Sequence, residues 1–385
     1  MKSTSSFVQN TVGARNVFKD GFTADLSDFQ IGFLKLFRVD LEPVAELHIL
    51  PDEQINPSPD NSADVSVTPT PTKQPARLKV IRNKKGAVIR YLPSDQTPWG
   101  IETIYQDSKI AKTSGGTGVR VVVLDSGVNI NHPDLKNRIA GCKDFTNFRF
   151  PIINNQCDDK NGHGTHVAGI IAADSGGDGL GVYGVAPSAS ILAYKVCGDT
   201  GTCYADDIAT GLKQAADDGA QVINMSFGTD KDVPIIADAI NYAVGKGVLL
   251  VAAAGNDGPY PLSIDYPAAY SSVIAVGAIN QSLVVTDWSS RGNNSATTPY
   301  VVEDKDIEFA ALGENIESTW KNGGYAILSG TSMASPFVAG LAAKFWKSTA
   351  LDQASATRDY LHTLAKDLLP KGDDNDSGLG LPLVP

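Results

Sequence analysis

The chain of 385 residues has no run of about 18 apolar residues, so no segment is predicted to span a membrane. Basic residues are scarce: 32 Lys and Arg stand against 43 Asp and Glu, for a net charge of −11. That balance argues against nucleic acid and anionic membranes as partners. The first residues, MKSTSSFVQNTVGARN, lack the apolar core of a secretory signal. We expect either a secreted or extracytoplasmic protein whose signal is not part of this sequence, or a cytoplasmic one.

Cysteine is also rare, with four residues at positions 142, 157, 197 and 203. An even number permits two disulfides, in three possible connectivities. Pairing of neighbours would close short loops, whereas four free thiols would suit a reducing compartment, and the sequence leaves both open. The chain has no Cys-x-x-Cys motif, so a structural zinc site is not expected.

Shifts in amino-acid composition divide the chain into three parts. Residues 51–75 are rich in Pro, Thr, Ser and Asp, which predicts an extended linker. The segment before it, 1–50, is too short for a core of its own. The linker and a basic stretch together fill 51–95, and 96–385 is predicted to form the main domain.

In the last part, short β-branched runs alternate with segments that have apolar residues at helical spacing. The runs are 119–125, 190–196, 221–227, 247–255 and 272–279, and the helical segments include 205–219 and 234–247. Strands that are apolar on both faces and separated by helices predict an α/β fold with three layers, α/β/α, around a mostly parallel sheet. Sites in such folds lie beyond the carboxyl ends of the strands.

The residues at these strand ends and helix starts have the chemistry of a serine hydrolase. Asp125 ends the run VVLD, and its buried charge would need a partner. His163 stands between two glycines at the start of an alanine-rich helix, and Ser332 stands at another helix start. The order Asp, His, Ser is one of three known for the catalytic triad, and no G-x-S-x-G elbow surrounds Ser332.

Four blocks, DSGV, HGTHVAG, AAAGNDG and GTSMASP, resemble the signature blocks of the subtilisin-like serine proteases, the subtilases. The likeness covers about three quarters of the chain, from roughly Pro98 onward. It implies a subtilisin-like fold and a serine endopeptidase. It also implies Ser332 as nucleophile, His163 as general base and Asp125 as the residue that orients the base. The Asn256 amide and the backbone N–H of Ser332 would bind the oxyanion.

The resemblance also implies where a substrate binds. Subtilases hold an extended peptide between two edges, which here match GTCY (201–204) and SFGT (226–229). Thr229 stands where the family usually has glycine, which would narrow the outer pocket. The expected binding residues on these edges are Gly201, Ser226, Phe227 and Gly228.

Two carboxylates are expected at the pocket for the residue before the scissile bond, P1. Asp265 precedes the Tyr-Pro pair that marks the pocket floor in the family, and Asp257 would lie on the rim. Together they favour Lys or Arg at P1, by about 10–100-fold for one charged hydrogen bond. The alternative is that Asp265 faces solvent or binds a structural cation.

A basic P1 preference would permit self-processing. The basic stretch lies just before the catalytic part, so cleavage there would remove residues 1 to about 90 and make the chain a zymogen that binds its own pro-segment. The alternative is a solvated linker with no role in cleavage. The candidate residues are Arg82, Lys84, Lys85 and Arg90.

Subtilases commonly bind structural calcium, for which the resemblance suggests four carboxylates. Asp134 matches a usual ligand, and the loop ADSGGDGLGVYG supplies Asp174 and Asp178. Asp95, or Gln96 beside it, would complete the oxygen ligands that calcium prefers. The alternative is a set of exposed loop aspartates without a metal.

Two other functions compete with an endopeptidase. One is a catalytically inactive relative that binds partners on the same fold, and the other is an esterase with the same nucleophile. The complete triad argues against the first, and comparing peptide with ester turnover would test the second. We expect a monomer whose partners are protein or peptide substrates.

Overall fold

The structure is a computed structural model that describes residues 15–18, 22–24, 26–28, 30–31, 34, 41–49, 79–82, 88–295, 300–368 and 370–385. The predicted linker, 51–75, lies outside these ranges. The helices are α1 (Trp99–Ile104), α2 (His163–Ala172), α3 (Ala205–Asp217), α4 (Pro234–Gly245), α5 (Thr331–Lys344) and α6 (Gln353–Leu364), with a 3₁₀ turn at Ser175–Gly177.

The strands before the main sheet are β1 (Asn16–Val17), β2 (Phe22–Thr23), β3 (Glu46–Ile49), β4 (Lys79–Arg82) and β5 (Val88–Leu92). Those that follow are β6 (Arg120–Asp125), β7 (Ile139–Asp144), β8 (Ile153–Asn154), β9 (Ser190–Lys195), β10 (Thr202–Tyr204), β11 (Val222–Met225), β12 (Phe227–Gly228), β13 (Leu249–Ala253), β14 (Val273–Ile279), β15 (Phe309–Leu312), β16 (Ile316–Thr319), β17 (Tyr325–Leu328), β18 (Ala365–Lys366) and β19 (Leu381–Pro382).

The main sheet has eight strands in the order β15-β14-β13-β11-β6-β9-β7-β8. All neighbours from β15 to β7 pair in parallel, and β8 at the edge is antiparallel to β7. The strands are apolar runs because a parallel sheet of this kind is covered on both faces. The prediction of a mostly parallel sheet is confirmed.

Alternate side chains of β6 enter separate hydrophobic cores on the two faces of the sheet. Val121 and Val123 belong to the core that contains residues of α2 and α5. Val122 and Leu124 belong to the core that contains residues of α3 and α4. This alternation follows from the two-residue period of a strand, and it gives the predicted three layers.

The helices on the two faces differ in character. In α3 the apolar residues lie on one face and the polar residues on the other, whereas every residue of α2 is buried. Nearly all of α5 is buried as well, and its many small residues allow close packing. None of the described helices has the length and apolar character to cross a bilayer.

Two disulfides confirm the pairing of neighbouring cysteines. Cys142 bonds to Cys157, 15 positions away, and links β7 to the loop that leads into α2. Cys197 bonds to Cys203, 6 positions away, and so closes the turn that leads into β10. Both bridges therefore lie next to elements that the sequence assigns to the active site.

Candidate active site

Asp125 and His163 meet where β6 ends and α2 begins. The Nδ1 atom of His163 lies 2.8 Å from Oδ1 and 2.9 Å from Oδ2 of Asp125, which is fully buried. The backbone N–H of Ser126 also donates to Oδ1, at 2.7 Å. The buried carboxylate therefore has the partners that its charge requires. Its contact with Nδ1 leaves Nε2 as the nitrogen for proton transfer.

The glycines on both sides of His163 make this approach possible. A Cβ on Gly164 would lie 2.1 Å from the carbonyl oxygen of Gly127, which is closer than atoms can pack. Gly162 has a φ of 111°, and a Cβ there would lie 2.5 Å from the ring of Trp320. A side chain at either position would displace the start of α2 and, with it, the imidazole.

Ser332 lies in the first turn of α5 and is fully buried. Its Oγ donates to the backbone carbonyl of Ser226 at 3.3 Å, and the Ser226 hydroxyl donates to the carbonyl of Ser332 at 3.0 Å. Pro336, four residues further on, has no N–H with which to bond that carbonyl. The Ser226 hydroxyl takes the place of the missing helical donor and fixes the first turn of α5 against the end of β11.

The side chain of Asn256 is oriented by the residue before Ser332. Its Oδ1 accepts hydrogen bonds from the backbone N–H of Thr331 at 3.0 Å and from the Thr331 hydroxyl at 2.9 Å. The Thr331 hydroxyl in turn accepts from the N–H of Gly255 at 3.2 Å. Because the amide is planar, an Oδ1 committed to Thr331 directs the Nδ2 donor the other way.

Sheet topology places these residues at one edge of the main sheet. β13, β11 and β6 are consecutive neighbours in the sheet. Asp125 ends β6, Ser226 follows β11, and Gly255 and Asn256 follow β13, all at the carboxyl edge. His163 and Ser332 belong to helices on one face of the sheet. This edge is where ligands bind in parallel α/β folds.

A strand of the N-terminal segment lies between the two predicted substrate edges. β3 pairs antiparallel with β10 on one side and with β12 on the other. The N–H of Ile49 donates to the carbonyl of Gly201 at 2.9 Å, and Leu47 is fully buried. Gly201, Phe227 and Gly228 thus contact an extended peptide in the manner expected of a substrate.

Asp265 lies beneath the backbone of the substrate edge and is only 4 % exposed. A Cβ on Gly228 would lie 2.7 Å from its Oδ2, and one on Gly255 would lie 2.8 Å from the same atom. Burial, and then the nearby carboxylates of Asp257 and Asp230, raise the pKa of Asp265 to about 7. A cation placed beside this carboxyl would favour its charged form.

Asp134 is the candidate calcium ligand with the most constrained position. It is fully buried, and its Oδ2 accepts from the N–H of Val182 at 2.8 Å and from the Tyr325 hydroxyl at 2.9 Å. Gly181 passes so close that a Cβ there would lie 2.0 Å from Oδ1. The carboxylate is therefore held against the glycine-rich loop that the sequence analysis singled out.

The other three calcium candidates are occupied in local contacts. Asp174 pairs with the guanidinium of Arg138 at 3.0 Å, so its charge already has a partner. Asp178 and Asp95 each accept the N–H of the residue two positions further along. Over the described ranges, no group of three or more His, Cys, Asp or Glu side chains is placed to hold a metal. Of the four candidates, Asp134 is the one that is buried.

Two other histidines near the site make contacts that support the surrounding backbone. The Nε2 of His166 lies 3.0 Å from the carbonyl of Ile316 and 3.1 Å from that of Ala326, and burial lowers the pKa of His166 to about 3. His132 accepts the N–H of Asp134 at 3.1 Å and supports that turn.

A profile of the subtilase family matches residues 116–380. The chain belongs to the subtilase family. A subtilisin from Bacillus sp. (strain TA39) is 44 % identical over 383 residues, or 95 % of this chain and 84 % of the relative. The major intracellular serine protease of Bacillus subtilis (strain 168) is 38 % identical over 72 % of this chain and 84 % of its own.

The solved structure of sphericase has a TM-score of 0.73 to this subtilase and 45 % sequence identity, and covers 76 % of this chain and 99 % of its own. Together with the family match, these relatives identify the chain as a serine endopeptidase of the subtilisin type. Its substrates are accordingly proteins or peptides.

Several residues that organise this site escaped the sequence analysis. Thr331, next to Ser332, orients the side chain of Asn256, and no motif in the sequence marks it for that role. Asp159 and Lys195 contact the residue after Asp125, and neither stood out in the sequence. The sequence marks Asp159 only by its position four residues before His163.

Proposed function

We propose that this subtilase cleaves peptide bonds with Ser332 as nucleophile, His163 as general base and Asp125 as the residue that orients the imidazole. The observation that carries the proposal is the bond of His163 Nδ1 to both oxygens of Asp125, on the same sheet edge as a serine that begins a buried helix. A serine hydroxyl is a weak nucleophile until a base accepts its proton.

In the first half of the reaction, His163 Nε2 takes the hydroxyl proton as Ser332 Oγ bonds to the substrate carbonyl carbon. The oxyanion that forms accepts hydrogen bonds from Asn256 Nδ2 and from the backbone N–H of Ser332 at the start of α5. The positive end of the helix dipole favours this charge. His163 then gives its proton to the leaving amine, and water releases the acyl group by the same steps.

A burst experiment tests these roles. An ester substrate that releases a coloured alcohol should give one equivalent of product before the steady state, because the acyl-enzyme accumulates. The burst should disappear in Ser332→Ala and persist in Ser335→Ala, which changes a serine one turn further along α5. A burst of normal size in Ser332→Ala would contradict the assignment.

For the P1 residue, the proposal is a preference for Lys or Arg. The support is the buried carboxyl of Asp265 beneath Gly228 and Gly255, with Asp257 nearby. An uncompensated charge at such a site is unfavourable, and a cationic side chain would relieve it. The expected ratio over Phe at P1 is about 10–100 in kcat/KM.

The N-terminal segment is proposed to be an inhibitory pro-segment. β3 forms the backbone hydrogen bonds that a substrate would form. It runs antiparallel to β12, so that His48 pairs with Gly228 and Ile49 with Phe227. Leu47 fills a fully buried position between the two edges. A peptide held there excludes substrate, which would make the full chain a zymogen with parts 1–50, 51–95 and 96–385.

A second contact supports docking of this segment on the catalytic part. Arg15 pairs with Asp207 at 2.7 Å in the first turn of α3. Asn16 and Thr23 donate to Asp206 in the same turn, at 2.9 and 2.7 Å. Both aspartates are almost fully buried under these contacts. The segment is thus held at two places, on α3 and in the substrate cleft.

Intact mass over time tests zymogen processing. In the wild-type protein we expect loss of about 80–90 residues through a cut after Lys or Arg in the basic stretch, while Ser332→Ala stays intact. A cut near residue 50 would mean that the docked strand is itself a substrate. Identical masses in both proteins at all times would contradict self-processing.

We also propose a structural calcium ion bound by Asp134 and by carbonyl oxygens of the loop 176–182. The support is the buried carboxylate of Asp134, which lies against that glycine-rich loop, and the preference of calcium for hard oxygen ligands. Removal of calcium from the Ser332→Ala protein should lower its Tm, and Asp134→Asn should abolish this dependence. If the Ser332→Ala protein has the same Tm in calcium and in chelator, the proposed calcium site is wrong.

The two disulfides support an extracytoplasmic location, since such bonds persist in oxidising compartments. Mass analysis of alkylated protein from the native host compartment would test this. Four alkylated cysteines would contradict it.

A further inference from the structure

Asp159 lies in the loop before α2 and is 4 % exposed. Its Oδ1 accepts the Ser126 hydroxyl at 2.9 Å and the N–H of Gly162 at 2.7 Å. Its Oδ2 accepts the N–H of Thr165 at 2.9 Å and the Thr165 hydroxyl at 2.5 Å. A single carboxylate therefore receives four hydrogen bonds from two different elements.

The first element is the turn after β6. Ser126, which donates to Asp159, also donates its own N–H to Oδ1 of Asp125 and accepts the N–H of Gly164 at 3.0 Å. The Nζ of Lys195 donates to the Ser126 carbonyl at 2.8 Å. Ser126 is thus held from three sides, and its position determines one bond to the triad carboxylate.

The second element is the first turn of α2, which holds His163. The N-cap of this helix is Gly162, which has no side chain to accept the free N–H groups of the turn. Asp159 accepts two of them from outside the helix, those of Gly162 and Thr165. Without it, buried donors next to His163 would lose their partner.

We propose that Asp159 is a positioning residue that holds the turn after Asp125 and the start of the His163 helix in register. It contacts no reacting atom and acts through Ser126 and α2. The inference rests on the triad assignment proposed above. Its contacts fix the distance between two members of the proposed triad.

The carboxylate also adds charge. Burial raises the pKa of the Asp159 carboxyl, the hydrogen bonds from Thr165 and Gly162 lower it in part, and the like charge of Asp125 raises it further. In its ionised form, Asp159 brings a second negative charge close to that of Asp125. A second negative charge near Asp125 stabilises the imidazolium of His163, so its loss should lower the pKa seen in the acid limb of kcat/KM.

The test compares three variants, Asp159→Asn, Asp159→Glu and Asp158→Asn, where Asp158 is the exposed neighbour of Asp159. Each variant is expressed as the full chain and assayed after it has processed itself. Active sites are counted with an acylating titrant, and kcat and KM for a peptide anilide are measured from pH 5 to 10. For Asp159→Asn we expect kcat per site to fall about 10–100-fold, with KM changed less than about threefold. Its acid limb should move to lower pH.

Asp159→Glu, which keeps the charge, should retain the wild-type acid limb even if kcat falls, and Asp158→Asn should match the wild type. If Asp159→Asn keeps a wild-type kcat per site and acid limb, and loses only folded protein, the inference is wrong while the triad stands. If Ser332→Ala retains the burst, the triad itself is wrong.

Ser126→Ala provides a milder variant if Asp159→Asn does not fold. It removes one contact to Asp159 and should lower kcat per site about 3–10-fold without a matching change in KM. A kcat equal to that of the wild type would overturn the inference. The double variant, where it folds, should lose less than the product of the single effects because both act through one network.

Discussion

Substitution of Asp265 by Asn changes charge without changing shape at the base of the proposed P1 pocket. The carboxyl is 4 % exposed, so a Lys or Arg side chain beside it would form a charged hydrogen bond shielded from water. Such a bond contributes about 1.5–3 kcal/mol, which corresponds to about 10–100-fold in kcat/KM. We expect Asp265→Asn to lose this factor on substrates with Lys at P1 and to leave those with Phe nearly unchanged.

The pH dependence of this preference has a definite sign. The pKa of Asp265 is raised to about 7, so the carboxyl is neutral below that pH and ionised above it. The ratio of kcat/KM for Lys over Phe should therefore rise as the pH rises through about 7. Any pH effect on the catalytic groups acts on both substrates alike and therefore cancels in the ratio of their kcat/KM values. In Asp265→Asn the ratio should be flat.

Two peptide anilides that differ only at P1, measured at pH 5.5 to 9, provide the assay. Asp257→Asn is the matched control. Because Asp257 is exposed and water screens its charge, we expect this variant to lose less of the Lys-to-Phe ratio of kcat/KM. An unchanged Lys-to-Phe ratio in Asp265→Asn would refute the reasoning. So would a wild-type ratio that does not vary with pH.

The same carboxyl links stability to pH. Its folded pKa of about 7 lies above the ordinary 3.8, so its contribution to stability is complete below about 3.8 and is lost as the pH rises through about 7. At about 1.4 kcal/mol per pH unit, this gap gives an upper figure of about 4 kcal/mol. In the Ser332→Ala background, Asp265→Asn should raise Tm more at pH 8 than at pH 5; an equal change at both would contradict the burial of the charge.

Three further changes test other contacts. Thr331→Val removes one donor to Asn256 and should lower kcat about 3–10-fold with little change in KM, as steady-state kinetics would show; an unchanged kcat would contradict the role of Thr331. Leu47→Asp places a charge in a buried site and should shorten the lag before peptidase activity appears when substrate is added to the full-length protein. A longer lag would contradict inhibition by β3. Replacing Cys197 and Cys203 by Ser should raise KM for a tetrapeptide more than for a dipeptide, because the bridge brackets β10; equal changes would contradict this role.

The placement of the proposed triad residues could be predicted because they follow strands or begin helices that have strong local patterns. Asp125 ends an apolar strand, and His163 and Ser332 begin helices rich in small residues. The parallel topology then requires these chain positions to meet at one edge. Order along the chain and local chemistry were sufficient for this part of the site.

The docked strand β3 could not be predicted in the same way. ELHI is only four residues long, and its pairing depends on two edges more than 150 positions away. Asp159 was hidden for a related reason. In the sequence it stands in the polar stretch DDKNGHG, and only the packing of α2 against β6 buries it.

The four calcium candidates illustrate what spacing leaves undecided. Asp134 and Asp174 both stood in suitable loops, but Asp174 pairs with Arg138, a residue 36 positions earlier. A charge partner of this kind comes from tertiary structure and has no signal in the loop sequence itself. Ligand sets are therefore less predictable than catalytic residues, whose chemistry restricts the choice of residue type.

Labelling with a fluorophosphonate, followed by peptide mapping, tests the central assignment most directly. Protein that has processed itself should gain one adduct, on Ser332, and His163→Ala should react far more slowly because the hydroxyl lacks its base. Ser332→Ala should gain none. An adduct on another serine, or equal labelling of Ser332→Ala, would contradict the account.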